Sequence, residues 1–542
     1  MCIFGSKFTR ISFGRRLVPA VALLCLALVA CTVGPDFSPP AAPIAERFNG
    51  AVGPLIKAGP KEEWDWWRSL RDPTLDGLIH IAYNQNLTLL SAGTQVLQAR
   101  ATLGIATGLL YPQAQQGTGS LIYNRSSAAT PLSAPNAKPA YFWTNALAVQ
   151  AAWELDFWGK FRRGVEAADG VYLASIATYD NVLVSLLGDV AATYIGIRTT
   201  EQLLAIARSN VDAQRQILGI AQAKFRGGGT SELDVFQAQN VLAQTESAVP
   251  ALTIQLRQGE DALCVLLGTP PKSLGALLAR WNGRIPSPFG AVTVGIPADL
   301  LRRRPDIRAL ELLALAQSAQ IGIAEAQLYP AISITGTFGG AASTANGHSL
   351  GEILTRTGLT YAAGPSFQWN ILNYGQITNN VRLQDATLQQ LLINYQNAVL
   401  VAQQQVSDAI ATFLESRVQA DNLRQSVRAA RNALGVAREQ YEQGATNFTT
   451  VLVSEQNVFQ AESSLALAEG NVALGLTAIY RALGGGWQIR EDSNFVSAVT
   501  NAEMRARTNW GNLLPPVDAP QPPTPGLPSP ADLGPSVRPP EW

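Results

Sequence analysis

The sequence predicts a mostly α chain with membrane β: two structural repeats that give four β-strands and long coiled-coil helices per chain. Three observations carry this. The chain is written twice at an offset of about 216 residues. Each half holds a long proline-free stretch whose apolar residues fall at alternating spacings of four and three. Each half also holds segments that alternate with period two.

The repeat comes first, because a missed repeat misassigns the whole fold. Gly104-Ile105-Ala106 and Leu110-Tyr111-Pro112 recur as Gly322-Ile323-Ala324 and Leu328-Tyr329-Pro330, 218 residues on. Trp153 and Gly159 recur as Trp369 and Gly375, 216 residues on. Phe225, Gly228, Thr230 and Val235 recur as Tyr441, Gly444, Thr446 and Val451, and Leu267-Gly268 as Leu483-Gly484. One register therefore runs through both halves, with a small length change between the Tyr-Pro pair and the Trp. Each half opens with a helical stretch, Leu75 to Leu109 or Asp306 to Leu328. An alternating region, a very long helix, a Gly-containing turn and another helix follow.

The helices follow from spacing. No proline occurs from Gly159 to Val249 or from Ser366 to Leu514. Leu183, Leu187, Val190, Tyr194 and Ile197 form one seam. Leu388, Leu392, Tyr395, Val399, Ala402, Val406, Ala409 and Phe413 form another. This is the 3.5-residue repeat of helices packed knobs-into-holes. At about 1.5 Å per residue, a helix from Lys160 to Arg226 would reach about 100 Å. A compact domain has no use for that length; a structure crossing a wide aqueous compartment does.

The strands follow from alternation. Ile332, Ile334, Gly336 and Phe338 share one face, and Ser333, Thr335, Thr337 and Gly339 the other. Trp143, Leu147, Val149, Ala151 and Trp153 alternate with Thr144, Ala146, Ala148, Gln150 and Ala152, and Tyr361, Ala363, Phe367 and Trp369 with small or polar residues. Gln113 to Asn124 is polar and Gly-rich, and is assigned a strand mainly by analogy with its repeat mate. The Tyr-Pro pairs stand at strand starts, where a missing N–H is tolerated. Open sheet edges cannot face lipid, because their backbone groups find no hydrogen-bond partner there. Membrane barrels need about eight strands at least. Four cannot close one, so several chains must share a barrel; a cyclic trimer would supply twelve strands. The competing reading is two soluble hairpins on a coiled coil.

The ends say where the chain goes. Lys7, Arg10, Arg15 and Arg16 precede an apolar run from Leu17 to Ala30, too short to span a bilayer and placed as a signal peptide. It ends Leu28-Val29-Ala30-Cys31, which resembles a lipobox, so Cys31 is the expected lipidation site. Thr32, rather than Asp, favours transfer to the outer membrane. Cys2 and Cys25 leave with the signal, and Cys264 is left alone, so no internal disulfide framework is expected. Cys264 sits in Leu263-Cys264-Val265 and reads as a small buried hydrophobe. Without the signal the chain has 36 Lys/Arg against 40 Asp/Glu, so nothing points to nucleic acid. Pro515 to Trp542 is dense in proline and reads as an extended tail.

Chemistry-bearing motifs are sparse. His80 and His348 sit in no metal-ligand cluster. No Walker loop and no nucleophile elbow occurs, and no cofactor is expected beyond the covalent lipid on Cys31. Gly227-Gly228-Gly229 and Gly484-Gly485-Gly486 follow helices and read as helix ends. Arg302-Arg303-Arg304 before Pro305 reads as a solvated connector at a helix start. Two turns stand out, Arg226 to Val235 and Gln443 to Val451. In each, Gly can end one helix in a left-handed turn and Ser, Thr or Asn can cap the next. A helix hairpin explains Gly228, Thr230, Gly444 and Thr446 without any further role.

Taken together, these blocks resemble outer-membrane factor lipoproteins of the TolC/OprM/NodT family. The matching blocks begin with Thr32-Val33-Gly34-Pro35-Asp36-Phe37, then Trp66-Trp67 with Asp72-Pro73-Thr74-Leu75 and Gln98-Ala99-Arg100-Ala101. Trp153-Glu154-Leu155-Asp156-Phe157-Trp158-Gly159, Leu301 to Arg308 and Ala482-Leu483-Gly484-Gly485-Gly486-Trp487 follow in order. The resemblance implies a homotrimer with a 12-stranded outer-membrane barrel fused to an α-helical periplasmic tunnel. It implies a passive duct of a tripartite efflux system, docked to a periplasmic adaptor and an inner-membrane pump of the resistance-nodulation-division (RND) type. No enzymatic activity is expected. The division is 1–30 signal, 31–73 lipidated segment, 74–268 first repeat, 269–304 connector, 305–484 second repeat, 485–514 equatorial part and 515–542 tail.

By resemblance the two turns line the periplasmic end of the tunnel and meet the adaptor. Gly228, Thr230, Leu233, Asp234, Gly444, Thr446 and Val451 are the expected contact residues. OprM-like chains carry an Asp and, three residues on, an Arg beyond the second turn; here those positions are Val453 and Gln456. The expectation is instead a gate closed by apolar packing around Leu452 and Val453, with Gln237, Asn240 and Gln456 as polar neighbours. Two other readings stay open: a channel for type I protein secretion, and a structural or adhesive coiled-coil surface lipoprotein.

Overall fold

The computed structural model describes residues 32–49, 56–58, 64–127, 139–279, 284–287, 292–294, 297–299, 303–490 and 493–514. The signal segment, Cys31 and the proline-rich tail lie outside the described residues. In chain order the elements are β1 (Ile56–Ala58), α1 (Pro73–Gln85), α2 (Leu87–Gly108), β2 (Ala114–Arg125), β3 (Tyr141–Leu155), α3 (Lys160–Arg226), α4 (Glu232–Leu266) and α5 (Gly275–Leu278). Then come β4 (Val292–Val294), α6 (Pro305–Ala326), β5 (Ala331–Ser343), β6 (Leu359–Gln368), α7 (Gln376–Glu442), α8 (Phe448–Ala482) and α9 (Ala498–Arg507). They fall into two compact units.

The first unit, built from the described residues within Met1–Pro40, Ala99–Leu173 and Glu311–Leu392, holds a four-stranded antiparallel sheet in the order β2-β3-β5-β6. Its register sorts the side chains. Tyr123 faces Trp143, Val149 faces Phe338, and Phe338 faces Tyr361. With period-two alternation, one face therefore carries Leu121, Tyr123, Trp143, Leu147, Val149, Trp153, Ile334, Phe338, Tyr361 and Phe367. The other carries Gln116, Thr118, Ser120, Thr144, Gln150, Ser333, Thr335, Thr337 and Ser366, with Ile122 and Phe142 as large apolar exceptions. The polar, Gly-rich β2 assigned by analogy is a strand of 12 residues. Among the described residues, strands β2 and β6 each have one strand neighbour, so both edges of the sheet are open.

The second unit comprises the described residues within Ala41–Gln98, Ala174–Leu310 and Ile393–Trp542. A small parallel pairing of β1 with β4 lies in it. Its core uses the seams read from spacing: Leu183, Leu187, Val190, Tyr194 and Ile197 are buried, as are Tyr395, Val399, Ala402, Val406, Ala409 and Phe413. Leu388 and Leu392, at the other end of that seam, are half-buried. The repeat holds to the residue along the helices. α3 and α7 have 67 residues each, α4 and α8 have 35 each, and all four boundaries are offset by 216. α3 contains an 18-residue window apolar enough to cross a membrane, but 67% of it is buried inside the chain. Its apolar surface is spent on helix packing.

Two points depart from the expected elements. The stretch Leu75 to Leu109 is two helices, broken at Asn86. The Asn86 side chain accepts from Leu89 N at 2.9 Å and donates to Leu266 O at 2.9 Å, so it starts α2 as a cap instead of continuing α1. Pro250 lies inside α4, exposed, where loss of one helical hydrogen bond is tolerated. Cys264 is buried and free, as a small hydrophobe should be.

Candidate channel surfaces: the helical tip, the sheet and the N-terminal strap

The two turns are built alike. Lys224 O accepts from Gly229 N at 2.8 Å while Phe225 O accepts from Gly228 N at 3.0 Å. Gln440 O and Tyr441 O accept from Ala445 N and Gly444 N at 2.7 and 3.0 Å. Both are Schellman endings. Gly228 and Gly444 have φ of 74° and 77°, the left-handed region that a side chain resists. Asn447 caps α8, accepting from Thr450 N at 3.1 Å. In the first turn Thr230 donates its hydroxyl to the Asp234 carboxylate.

A hydrophobic cluster joins the two hairpins. Ile217, Ala221, Val235, Ala238 and Val241 come from the first, and Ala437, Tyr441, Phe448, Val451 and Leu452 from the second. The expected site residues divide accordingly. Gly228, Gly444 and Leu233 are exposed, Thr230, Asp234 and Thr446 are half-buried, and Val451 is buried. Of the expected gate, Leu452 lies in the cluster core, whereas Val453 is 48% exposed. Gln456 and Asn240 are exposed and Gln237 is half-buried. Successive helix positions are about 100° apart, so within the chain Leu452 packs into the cluster while Val453 points outward.

Sequence reasoning missed the polar groups beside this cluster. Lys224 Nζ donates to Tyr441 O at 2.5 Å and stands 3.9 Å over the Tyr441 ring. Glu455 is buried and pairs with Arg438 at 3.0 Å. Burial pushes the Glu455 carboxyl above the usual carboxylate range, and the Arg438 guanidinium pulls it part of the way back. The available signal was position: Arg438 lies about one turn before the end of α7 and Glu455 about two turns after the start of α8, so an antiparallel helix pair brings them near each other.

In the first unit, the residues after Cys31 form a strap with a built seat. Val33 N donates to Trp158 O at 3.1 Å. Arg163, buried, donates to Val33 O, Gly34 O and Asp36, and also pairs with Glu166 at 2.7 Å. Ser318 donates to Pro35 O at 3.4 Å. Gly34, at φ 94°, lies so close to Gly322 that a Cβ on it would stand 2.4 Å from Gly322 Cα. Trp158 closes the base of the seat, stacked on Tyr329 at 4.6 Å and donating to Pro330 O at 2.9 Å.

Comparison with known proteins gives a consistent result. The family model for outer membrane efflux protein matches residues 78–269 and 296–485. Nodulation protein T of Rhizobium leguminosarum bv. viciae is 29% identical over 490 residues, covering 89% of this chain and 98% of that protein. The pyoverdine export outer membrane protein OpmQ of Pseudomonas putida is 30% identical, covering 86% and 96%. The solved outer-membrane channel OprN superposes with a TM-score of 0.79 at 29% identity, over 84% of this chain and 100% of that one. The two matched segments coincide closely with the two sequence repeats. The chain belongs to the outer membrane efflux protein family.

Proposed function

We propose that three copies of this outer membrane efflux protein form a passive exit duct of a tripartite pump. The sheet carries the reading: four strands, an apolar aromatic face, a small and polar face, and two open edges. Closed with the sheets of two further copies, it presents the apolar face to lipid and the polar face to a water-filled lumen. Cys31 carries the covalent lipid, which directs the chain to the outer membrane before assembly. The lumen needs no catalytic group and no cofactor. A periplasmic adaptor docks at the tip around Thr230 and Thr446, and an inner-membrane RND-type pump supplies the energy. The cargo is drugs or other small toxic compounds.

The purified protein should give discrete conductance steps in a planar bilayer; a coiled-coil adhesin should give none. Val453, exposed beside the tip core, is the candidate lumen residue of the gate. Val453→Asp should raise conductance and cation preference. Unchanged conductance and selectivity would remove Val453 from the gate.

A further inference from the structure

The two hairpins of the sheet share a register and differ at one end. Advancing β2 by 217 and β3 by 216 carries Gln115 facing Ala151 onto Ile332 facing Phe367, and Tyr123 facing Trp143 onto Gly340 facing Leu359. The latter pair lies toward the end of the sheet remote from the helices. There the first hairpin holds three rings on the apolar face: Tyr123 stands 6.2 Å from Tyr141 and 5.0 Å from Trp143. The second hairpin has a glycine in the place of Tyr123, and the connection between β5 and β6 lies over it. A Cβ on Gly340 would stand 2.3 Å from Ile353 O. Asn145, on the same face as Leu147 and Val149, donates to Leu350 O at 3.1 Å. The connection thus folds back over the apolar face and not over the polar one.

Local chemistry holds it there. Thr344 N donates to Trp143 O at 2.8 Å, and the Thr344 hydroxyl accepts from Trp143 N at 2.8 Å. Ser349 and Glu352 form a capping box on the short turn Leu350–Leu354. His348 stands 3.1 Å from the Glu352 carboxylate, and Thr355 donates to Glu352 O at 2.7 Å. The result is a ridge on the apolar side that carries Leu354, 86% exposed, and then an exposed Arg356. On β2, Arg125 lies 5.8 Å over the Tyr141 ring.

We infer that this rim binds the phosphorylated, polyacylated glycolipid of the outer leaflet, with Arg125 and Arg356 on its phosphates and Leu354 against its acyl chains. The inference rests on the apolar face being the lipid face, as proposed above, and adds a particular lipid to it. Charge is the first support. Between Pro112 and Trp153 and between Pro330 and Trp369 the sequence holds a single acidic residue, Glu352, and that carboxylate is taken up by the cap and His348. Among the described residues, neither Arg125 nor Arg356 pairs with a carboxylate, which leaves two guanidinium forks for phosphate. The side is the second support: a connection that served the lumen would cover the polar face, whereas this one sets an exposed leucine where acyl chains run. The rings are the third. Tyr123, Tyr141 and Trp143 mark the belt where headgroup meets chain, and Arg125 stands over one of them.

The full-length protein in detergent can be titrated with diphosphoryl lipid A, with dephosphorylated lipid A and with phosphatidylglycerol, and bound lipid read by native mass spectrometry. The diphosphoryl form should bind about tenfold more tightly than either of the others. Arg125→Gln with Arg356→Gln should abolish that preference, and Leu354→Ser should weaken both forms of lipid A alike. Equal binding of the phosphorylated and dephosphorylated forms, which needs no variant to observe, overturns the inference. So does phosphatidylglycerol binding as tightly as diphosphoryl lipid A, or a preference that survives in the double variant. Planar-bilayer conductance separates the two readings: normal steps without lipid preference leave the channel standing and remove the glycolipid site, whereas a wild-type protein without steps overturns the lipid face on which the site depends.

Discussion

The two tip hairpins share a backbone and assign their side chains oppositely. Each has a 67-residue helix, a Schellman ending at a left-handed glycine and a 35-residue helix. In the second hairpin Tyr441, Phe448 and Leu452 are 7%, 1% and 7% exposed. Their repeat mates in the first are Phe225, Glu232 and Phe236; Phe225 and Phe236 are 43% and 56% exposed, and Leu233 beside them is 61% exposed. The Arg438–Glu455 pair, of which Glu455 is buried, has Gln222 and Gln239 as its mates. A duplicated backbone has thus been divided: both copies feed the tip cluster, but the second buries its rings in it and the first leaves its rings on the outside.

The widest difference should appear at the rings. Phe448→Ala removes a fully buried side chain and should cost about 3–5 kcal/mol, whereas Phe236→Ala should change stability by no more than about 0.5 kcal/mol. Hydrogen exchange of the tip amides reads both; equal losses would erase the division.

The ion pair should give the next largest effect. Arg438→Ala strands a buried carboxylate. A fully buried pair broken this way costs about 3–5 kcal/mol, and about 2 kcal/mol is expected here, because Arg438 is 38% exposed. Its pH dependence follows from burial. Glu455 binds its proton more readily in the folded chain than at its ordinary value of 4.5. That contribution to stability is complete below the ordinary value and is lost as pH rises through the higher folded value. Glu455→Gln should flatten this fall in thermal unfolding curves recorded from acid to neutral pH, and Gln239→Glu on the first hairpin should leave it unchanged.

The turns themselves should show the smallest and most equal effects. Gly228→Ala and Gly444→Ala each place a Cβ in a left-handed residue with open space around it, so each should cost about 1–2 kcal/mol. A difference between them larger than about 1 kcal/mol, read by limited proteolysis at the turn, would mean that the two backbones are not equivalent.

Much of this architecture was legible because it is periodic. α3 shows in the spacing of its seam and in a proline-free run between Gly159 and Gly227, and the faces of β3, β5 and β6 show in alternation. β2 needed its repeat mate, because its glycines and serines carry no hydrophobic signal. The structure also resolves the change of offset from 218 to 216. It passes through 217 along β2 and β5, so one residue is lost before the strand and another within the hairpin. What stayed hidden depends on partners distant in sequence. Asn86 breaks a helix because Leu266 O is there to receive its amide. Arg163 and Glu455 sit in solvated-looking contexts and are buried only by packing. Leu452 and Val453 are equally apolar, and only the helix phase separates the inward from the outward one.

The seat of the N-terminal strap has a consequence for the order of folding. Ser318 and Pro35 are 283 residues apart, and the seat also needs Gly322 from the second repeat. A chain delivered N-terminus first therefore lacks the Ser318 and Gly322 side of the seat until the start of the second repeat has followed. Closing so long a loop costs little more than closing one half its length, about 0.6 kcal/mol, so the delay lies in supply of the seat and not in entropy. The fully docked strap thus requires both repeats: a copy truncated before residue 318 keeps the Trp158 and Arg163 contacts but loses those to Ser318 and Gly322.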